Sequence, residues 1–179
     1  YDNNEGVVGV YPGVNMHIVK IFNDSGQWTY ASDLIDAITQ CQDAGSNVVN
    51  MSLGGGSSST TERNAMQSFT DAGMLLVAAA GNDGNSAKSY PASYDAVMSV
   101  AAVDSSENRA SYSQYNDQVE IAAPGSAVQS TYPTNTYASL SGTSMATPHV
   151  AGGAALVWSY FPQCSNNQIR SALNATAED

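Results

Sequence analysis

The sequence predicts an α/β fold in which a mostly parallel sheet is flanked by helices in three layers. Short apolar segments alternate with amphipathic segments along the first half of the chain, and crossover helices of this kind make successive strands parallel. The predicted strands are apolar on both faces, which is typical of strands covered by helices on each side. Because ligands bind at the carboxyl ends of such strands, we expect a site in the loops that begin at Asp24, Ser52 and Gly81.

The first half of the chain contains three predicted strands separated by two predicted helices. Apolar residues at helical spacing follow the first strand and end at Gly45, which is a typical residue after a helix. Thr60 or Thr61 can begin the second helix, and Gly73 ends it. The three strands are residues 17–22 (HIVKIF), 47–51 (NVVNM) and 74–80 (MLLVAAA).

The second half of the chain is mostly strand and turn until two final helices. A hairpin is predicted to turn at Pro133 and Asn135. The segment from Thr143 is rich in alanine and reads as a long buried helix with Ser144 at its start, because Pro148 is tolerated only near a helix beginning. No repeat, linker or low-complexity segment divides residues 1–179 into domains. The remaining predicted elements are strands 97–103, 119–123 and 136–140 and a helix over 166–175.

The composition excludes two classes of partner. The chain has sixteen acidic residues and only five lysines and arginines, which are scattered, so its formal charge is −11. We therefore expect no nucleic-acid partner. No apolar run reaches the length of about 18 residues that a membrane span requires, and no basic region followed by an apolar stretch opens the sequence, so we expect no targeting peptide within these residues. We therefore expect no membrane partner either. Few lysines and abundant Ser, Thr, Asn and Tyr favour a secreted, extracellular protein.

The two cysteines, Cys41 and Cys164, are too few for a small disulfide scaffold and fit no zinc spacing. They form either one long-range disulfide or two thiols in the core. We favour the disulfide, because the even count agrees with an exported protein. Packing of their two helices on the same face of the sheet would allow the bond.

Ser144 lies in the segment LSGTSMATPHVAG, where a glycine turns the chain out of a strand and the serine meets unpaired helix N–H groups. This position stabilises negative charge on a hydroxyl and on a carbonyl that it attacks, although an ordinary N-cap serine explains a bare G-T-S as well. The whole run GTSMATPHVAG resembles the active-serine signature of the subtilisin family of serine endopeptidases. The segments NVVNMSLGG, VAAAGNDG, YPASY, AAVDSSENRASYS and IAAPG resemble further family segments, in the family's order.

The resemblance implies hydrolysis of peptide bonds in extended protein or peptide substrates through an acyl-enzyme on Ser144. Asn82 would donate its side-chain amide to the oxyanion, with Thr143 supporting the same hole, whereas Asn82 taken alone is a turn residue. Two loops resemble backbone rails for strand addition, although flexible turns explain their glycines too. The rails are Ser25, Gly26 and Gln27 and Ser52, Leu53 and Gly54; the implied pocket is lined by Ala79, Ala80, Gly81 and Ser89; and Trp28 with Leu53 would form a further apolar pocket.

The resemblance also implies structural calcium. Residues 1–7 (YDNNEGV) resemble the family's tight calcium loop, although the family's remaining ligands to this ion lie upstream of such a loop. Calcium takes about six to eight oxygen ligands, and an unoccupied loop explains the same residues. The implied ligands are the carbonyls of Tyr1, Glu5 and Val7 with the side chain of Asn3 and, at a second site, the carbonyls of Ala92, Tyr94 and Val97 with the carboxylate of Glu120.

The base that serine catalysis needs is not evident in this sequence. His149 lies on the helix of Ser144, about 140° around its axis, and His17 opens a predicted buried strand. In the subtilisin family the histidine and aspartate precede the calcium loop, so we expect a single partial domain that lacks its N-terminal part and its C-terminal end. That missing segment would be a partner, and the chain alone would be inactive. The alternative is a non-catalytic pseudo-protease that acts as a binding module.

A nucleotide-binding domain is a third reading of the glycine-rich loop after residues 47–51. Phosphate recognition by such a domain uses a GxGxxG turn or a P-loop, in which closely spaced backbone N–H groups face the phosphates. The sequence contains neither motif. We therefore disfavour this reading.

Overall fold

A sheet of four parallel strands is the centre of the computed structural model, which describes residues 5–27 and 31–178. Its strands lie side by side in chain order, and a separate antiparallel hairpin follows them. The predicted α/β class with a parallel sheet is confirmed. The strands are β1 (Val48–Met51), β2 (Leu75–Ala79), β3 (Val97–Val103), β4 (Val119–Pro124), β5 (Val128–Tyr132) and β6 (Thr136–Leu140), and the helices are α1 (Ala31–Asp43), α2 (Thr60–Asp71), α3 (Thr143–Tyr160) and α4 (Asn166–Thr176).

The side chains of β2 alternate between two core clusters, which gives the fold three layers. Leu76 and Ala78 pack on the side of α1 and α2, whereas Leu75 and Val77 pack on the side of α3 and α4. All four are at most 3% exposed. Successive strand residues point to opposite faces, so a strand that is apolar at every position requires a helix layer on each face.

α3 is the longest helix and packs on the sheet through small residues. It begins at Thr143 as predicted and contains Pro148. Ala146 and Ala154 have no exposed surface and lie in the cluster beneath β2 and β3. Small side chains let the helix approach the strands closely, which fixes its N-terminus at the edge of the sheet. Among the described helices, none combines the length and hydropathy needed to cross a bilayer.

The strand predicted over residues 17–22 is wrong. These residues are not paired with any described strand, and Ile18 is 81% exposed. Only Ile21 packs against the main core from this segment. An apolar run becomes a strand when a neighbour completes its hydrogen-bond ladder, and here β1 is bonded to β2 alone among the described strands.

The predicted disulfide is also wrong, because both cysteines are free thiols. Cys41 packs with the core cluster beside α1 and α2, whereas Cys164 packs with the cluster beside α3 and α4. The sheet lies between these two clusters. Each cysteine is thus a thiol packed against a core cluster, the alternative that the sequence left open, and burial raises the pKa of the Cys41 thiol.

α2 begins with a capping arrangement that runs through a tyrosine. α2 begins at Thr60, one of the two predicted residues, and Ser59 is its N-cap residue, whose Oγ accepts from the Glu62 N–H at 3.4 Å. The Ser59 N–H donates to the Tyr94 hydroxyl oxygen at 2.9 Å, and that hydroxyl donates to Glu62 Oε2 at 2.8 Å. Tyr94 thus stands between the two residues that would bond directly in a capping box.

Glu62 is a buried carboxyl with incomplete hydrogen bonding. It is 3% exposed, and its Oε1 has no partner among the described residues. Burial raises the pKa of Glu62, a shift that the bond from Tyr94 partly opposes, and burial also raises the pKa of Tyr94 to about 12. Because the folded pKa of Glu62 exceeds the unfolded one, its contribution to stability is complete below the unfolded pKa and is lost as pH rises through the folded pKa.

Glu62→Gln is therefore expected to stabilise the protein increasingly as pH rises. The neutral amide keeps an acceptor for the Tyr94 hydroxyl, and it avoids the cost of removing a charged group from water. The free energy of unfolding of the variant should therefore exceed that of wild type by up to about 1 kcal/mol. The measurement is the free energy of unfolding of both proteins from about pH 4 to about pH 8. Asp71→Asn, on an exposed position of the same helix, is the control. A stability difference for Glu62→Gln that does not change with pH would contradict this account.

Candidate functional site

Three segments meet at one edge of the sheet and form the candidate site. β1 and β2 end shortly before Ser52 and Gly81, and α3 begins at Thr143. β1 and β2 are parallel neighbours, so their carboxyl ends lie side by side. α3 contacts both strands, which brings its first turn to the same edge.

Asn82 is held in one orientation by the start of α3. Its Oδ1 accepts from the Thr143 backbone N–H at 2.8 Å and from the Thr143 hydroxyl at 2.9 Å. The Gly81 N–H in turn donates to the Thr143 hydroxyl oxygen at 3.2 Å. Both donors to Asn82 require the carbonyl oxygen of its amide, so the Nδ2 donor is directed away from Thr143. Asn82 itself is exposed and therefore presents this donor to the site.

Ser144 is the second residue of α3 and is half-buried. Its hydroxyl donates to the Ser52 carbonyl oxygen at 3.3 Å, and the Ser52 hydroxyl donates to the Ser144 carbonyl oxygen at 2.8 Å. The first N–H groups of a helix lack intrahelical acceptors and create a positive potential. The Ser144 hydroxyl therefore lies where a developing negative charge is stabilised.

A cavity of about 350 Å³ opens beside Asn82 and Ser144. Most of the implied pocket and second-rail residues line it, but Ser52 and Ala80 do not. Ala80 is 1% exposed and packed in the interior. Implied residues that line the cavity are Leu53, Gly54, Ala79, Gly81, Asn82, Ser89, Thr143 and Ser144. Lining residues that the sequence did not suggest are Gly55, Gly56, Ala87, Lys88 and Gln114, and Asp83 lies at the cavity as well.

Gln114 fixes the loop that carries Asn82. Its N–H donates to the Gly81 carbonyl oxygen at 3.0 Å, and its Nε2 donates to the Ala87 carbonyl oxygen at 2.6 Å. Gly81 has a φ of +113°, and a Cβ atom there would lie 1.6 Å from Gln114 Oε1. Only glycine accepts both the left-handed backbone and this close approach.

The first predicted rail, Ser25, Gly26 and Gln27, forms an exposed turn. The Asn23 Oδ1 accepts from the N–H groups of Ser25 and Gln27, each at 2.9 Å. None of the three rail residues lines the described cavity, so their contact with substrate remains a prediction. Trp28 lies outside the described residues.

Neither histidine is hydrogen-bonded to Ser144. His149 donates from Nδ1 to the Met145 carbonyl oxygen of its own helix at 2.8 Å. His17 is exposed in the unpaired segment before α1. Within the described part of the chain, the Ser144 hydroxyl has only the Ser52 carbonyl as a hydrogen-bond partner, and a peptide carbonyl is not a base at neutral pH. A nucleophilic Ser144 needs a base from elsewhere.

The second predicted cation site holds a guanidinium. Arg170 Nε donates to Glu120 Oε2 at 2.8 Å, and its terminal nitrogen contacts the other carboxylate oxygen. The same nitrogen donates to the Val97 carbonyl oxygen at 3.3 Å. Arg170 therefore neutralises the carboxylate and competes with an ion for Glu120 and the Val97 carbonyl, whereas no contact joins it to the carbonyls of Ala92 or Tyr94. The metal at Ala92, Tyr94, Val97 and Glu120 stays a prediction.

The predicted calcium loop of residues 1–7 is described only from Glu5 onward. Tyr1 and Asn3 lie outside the described residues, and both Glu5 and Val7 are exposed. Over residues 5–27 and 31–178, no group of three or more His, Cys, Asp or Glu side chains is arranged to hold a metal ion. The ligands implied at residues 1–7 are mostly backbone carbonyls rather than such side chains, so this site remains a prediction.

Fold and site together define an α/β protein with a serine at the edge of a parallel sheet and a fixed amide donor beside it. Comparison with known families assigns this class. The model of the Peptidase S8 family, described as the subtilase family, matches residues 1–179. The chain belongs to the subtilase family.

Known relatives agree over nearly the whole chain. Subtilisin DY of Bacillus licheniformis is 48% identical over 180 residues, which cover 98% of this chain and 65% of that protein. A thermostable alkaline protease of Halalkalibacterium halodurans is 49% identical, with 98% of this chain and 48% of that protein covered. The chain thus spans about half to two thirds of these relatives.

Solved structures confirm the fold. The crystal structure of a psychrophilic subtilisin-like protease from Pseudoalteromonas sp. AS-11 matches with a TM-score of 0.91 at 34% identity. The match covers 99% of this chain and 75% of that chain. The three-layer, subtilisin-like architecture that the sequence predicted is therefore established.

Gly81→Ala is expected to destabilise the protein by about 3 kcal/mol, because the new methyl group adds overpacking against Gln114 to left-handed backbone strain. Gly73→Ala is the matched control, since Gly73 has a φ of +98° but nothing within 4 Å of a Cβ. Its cost should be about 1 kcal/mol, the backbone strain alone. The measurement is the free energy of unfolding in urea. Equal costs for the two variants would contradict the proposed contact.

Arg170→Ala is expected to destabilise by about 3 kcal/mol, because it leaves the Glu120 carboxylate with little solvent and no cation. The Arg170 and Glu120 side chains are 18% and 22% exposed. Lys20→Ala removes an ion pair whose side chains are 71% and 96% exposed, and it should cost at most about 0.5 kcal/mol. Unfolding free energies test both, and the double variant Arg170→Ala/Glu120→Ala should cost less than the two single changes together.

Proposed function

We propose that this chain supplies the nucleophile and the oxyanion donor of a serine endopeptidase. Ser144 would be acylated by peptide bonds of extended protein substrates. The observation that carries the proposal is the pair of hydrogen bonds by which Thr143 directs the Asn82 Nδ2 donor. A fixed amide donor beside a serine at a helix N-terminus stabilises the charge of a tetrahedral intermediate without reorganisation during the reaction.

The reaction would follow the two-step course of serine hydrolysis. Ser144 Oγ bonds to the substrate carbonyl carbon while its proton passes to a base, and the carbonyl oxygen becomes an anion. Asn82 Nδ2 and N–H groups of the first turn of α3 donate to that anion. When the intermediate collapses, the C–N bond breaks, the amine leaves with the proton, and the acyl group remains on Ser144. Water then attacks the ester and restores the serine.

Substrate would bind as an added strand along the loop after β1. Leu53 and Gly54 line the cavity beside Ser144, and backbone pairing needs few side chains. The side chain before the cleaved bond would enter the cavity of about 350 Å³. Ala79 and Gly81 in its wall leave room for a large apolar side chain.

The histidine and aspartate of the mechanism would come from a further part of the catalytic domain. Support comes from the relatives, of which this chain covers 65% and 48%, and from the Ser144 hydroxyl, which is bonded to a carbonyl rather than to a base. We propose that the whole protein is secreted. We also propose that calcium binds at residues 1–7, which resemble the family's calcium loop.

Asn82→Leu should lower kcat of the full-length protein by about 100- to 1,000-fold, the loss known for the oxyanion asparagine of subtilisin. KM should change little, because the charge that Asn82 stabilises exists only in the transition state. The measurement is steady-state hydrolysis of a chromogenic peptide. Asn64→Leu, the same change at an exposed position of α2, is the matched control and should leave kcat unchanged.

Ser144→Ala in the full-length protein should remove the turnover that depends on acylation, and residues 1–179 alone should give none. A full-length protein that binds peptides tightly but does not hydrolyse them would favour the pseudo-protease alternative. Turnover by the isolated chain that Ser144→Ala abolishes would show that a base lies within these residues.

A further inference from the structure

The carbonyl of Ser144 cannot be satisfied by the helix in which it lies. In an α-helix the carbonyl of residue 144 accepts from the N–H of residue 148, and here residue 148 is Pro148, which has no N–H. A proline ring also crowds the carbonyl four residues earlier. The backbone of Ser144 therefore has an acceptor that needs a donor from outside α3.

Ser52 supplies that donor. Its hydroxyl lies 2.8 Å from the Ser144 carbonyl oxygen, across 92 residues of sequence. Ser52 follows directly after β1, one of the strands on which α3 packs. In return, the Ser52 carbonyl accepts the hydroxyl of Ser144 at 3.3 Å. Two reciprocal hydrogen bonds thus join the end of β1 to one residue in the first turn of α3.

We propose that Ser52 is a positioning residue, whose hydroxyl fixes the backbone of the Ser144 nucleophile. Pro148 makes this hydroxyl necessary, because proline lacks the N–H that would otherwise donate to the Ser144 carbonyl. The inference rests on the proposed function, in which Ser144 is acylated. The Asn82 amide is fixed on the other side of the same turn through Thr143. The nucleophile and the oxyanion donor therefore keep their relative geometry only if the backbone between them is fixed at both residues.

The effect should appear in kcat rather than in KM. Substrate would pair with the backbone of the loop after β1, and Ser52→Ala leaves that backbone in place. A displacement of the Ser144 hydroxyl, by contrast, weakens the transition state without changing ground-state binding. This separates positioning of the nucleophile from a general loss of the substrate site.

The experiment is a double-mutant cycle at positions 52 and 148 in the full-length protein. Ser52→Ala is expected to lower kcat by about 10-fold with KM within about 2-fold. In the Pro148→Ala background the new N–H of residue 148 can donate to the Ser144 carbonyl, so the same change should lower kcat by less than about 2-fold. Ser52→Thr keeps a hydroxyl and should retain kcat within about 3-fold.

Ser68→Ala is the matched control. It removes a hydroxyl that donates to the Asn64 carbonyl oxygen at 2.9 Å on the exposed side of α2, and it should leave kcat unchanged. An equal loss from Ser52→Ala in both backgrounds would overturn the inference, because a purely structural serine is indifferent to residue 148. A loss confined to KM would overturn it as well.

A second reading of the cycle does not depend on activity. In a Ser144→Ala background, which keeps the backbone carbonyl, Ser52→Ala should lower the unfolding temperature more when Pro148 is present than when it carries the Pro148→Ala change. The wild-type protein could show no Ser144-dependent turnover while this coupling is present. In that case the proposed function fails, but the replacement of the missing residue 148 N–H by the Ser52 hydroxyl is still supported. If the unfolding temperatures show no coupling, the inference fails whatever the activity is.

Discussion

The double hydrogen bond from Thr143 to Asn82 Oδ1 is the interaction on which the site depends. It joins the loop after β2 to the start of α3, across 61 residues of sequence. Thr143 has no exposed surface, so the Thr143 side of the bond is shielded from water, which strengthens it relative to a fully exposed contact. Without it the amide of Asn82 could rotate, and its donor would no longer be held directed away from Thr143. β2, α3 and the loop after β2 together therefore determine the orientation of the Asn82 side-chain amide.

Much of the fold could be predicted because it follows from local periodicity. The buried strands show continuous apolar runs, α1 shows apolar residues at helical spacing, α2 shows typical end residues, and α3 is rich in alanine, all of which short segments of sequence contain. The predicted strand at residues 17–22 shows the same pattern and fails, because strand formation needs a neighbour and not only apolar residues. The disulfide fails for a similar reason, since the face on which Cys41 or Cys164 packs is a property of the topology and not of the spacing.

The site was predictable only where one residue type carries the chemistry. Ser144 and Asn82 stand in recognisable segments, but the roles of Gln114 and of the Ser52 hydroxyl arise from contacts between distant parts of the chain. The second predicted cation site shows the same limit. Its carbonyls and Glu120 suit an ion, and the sequence pattern did not reveal that a guanidinium from α4 bonds to Glu120 and to the Val97 carbonyl. The Arg170 guanidinium belongs to the same chain, so its ion pair with Glu120 does not depend on the concentration of a free cation.

The two functions of a serine site are separable in this molecule. In the proposed reaction, stabilisation of the oxyanion would need only elements that the chain itself contains, because Asn82, Thr143 and the first turn of α3 are already fixed together. Proton transfer needs a base, and the Ser144 hydroxyl now donates to the Ser52 carbonyl at 3.3 Å. A base that accepts from Ser144 must compete with this bond, which is long and easily broken. The shorter bond to the Ser144 carbonyl at 2.8 Å can persist while the hydroxyl turns, so the backbone stays in place as the proton leaves.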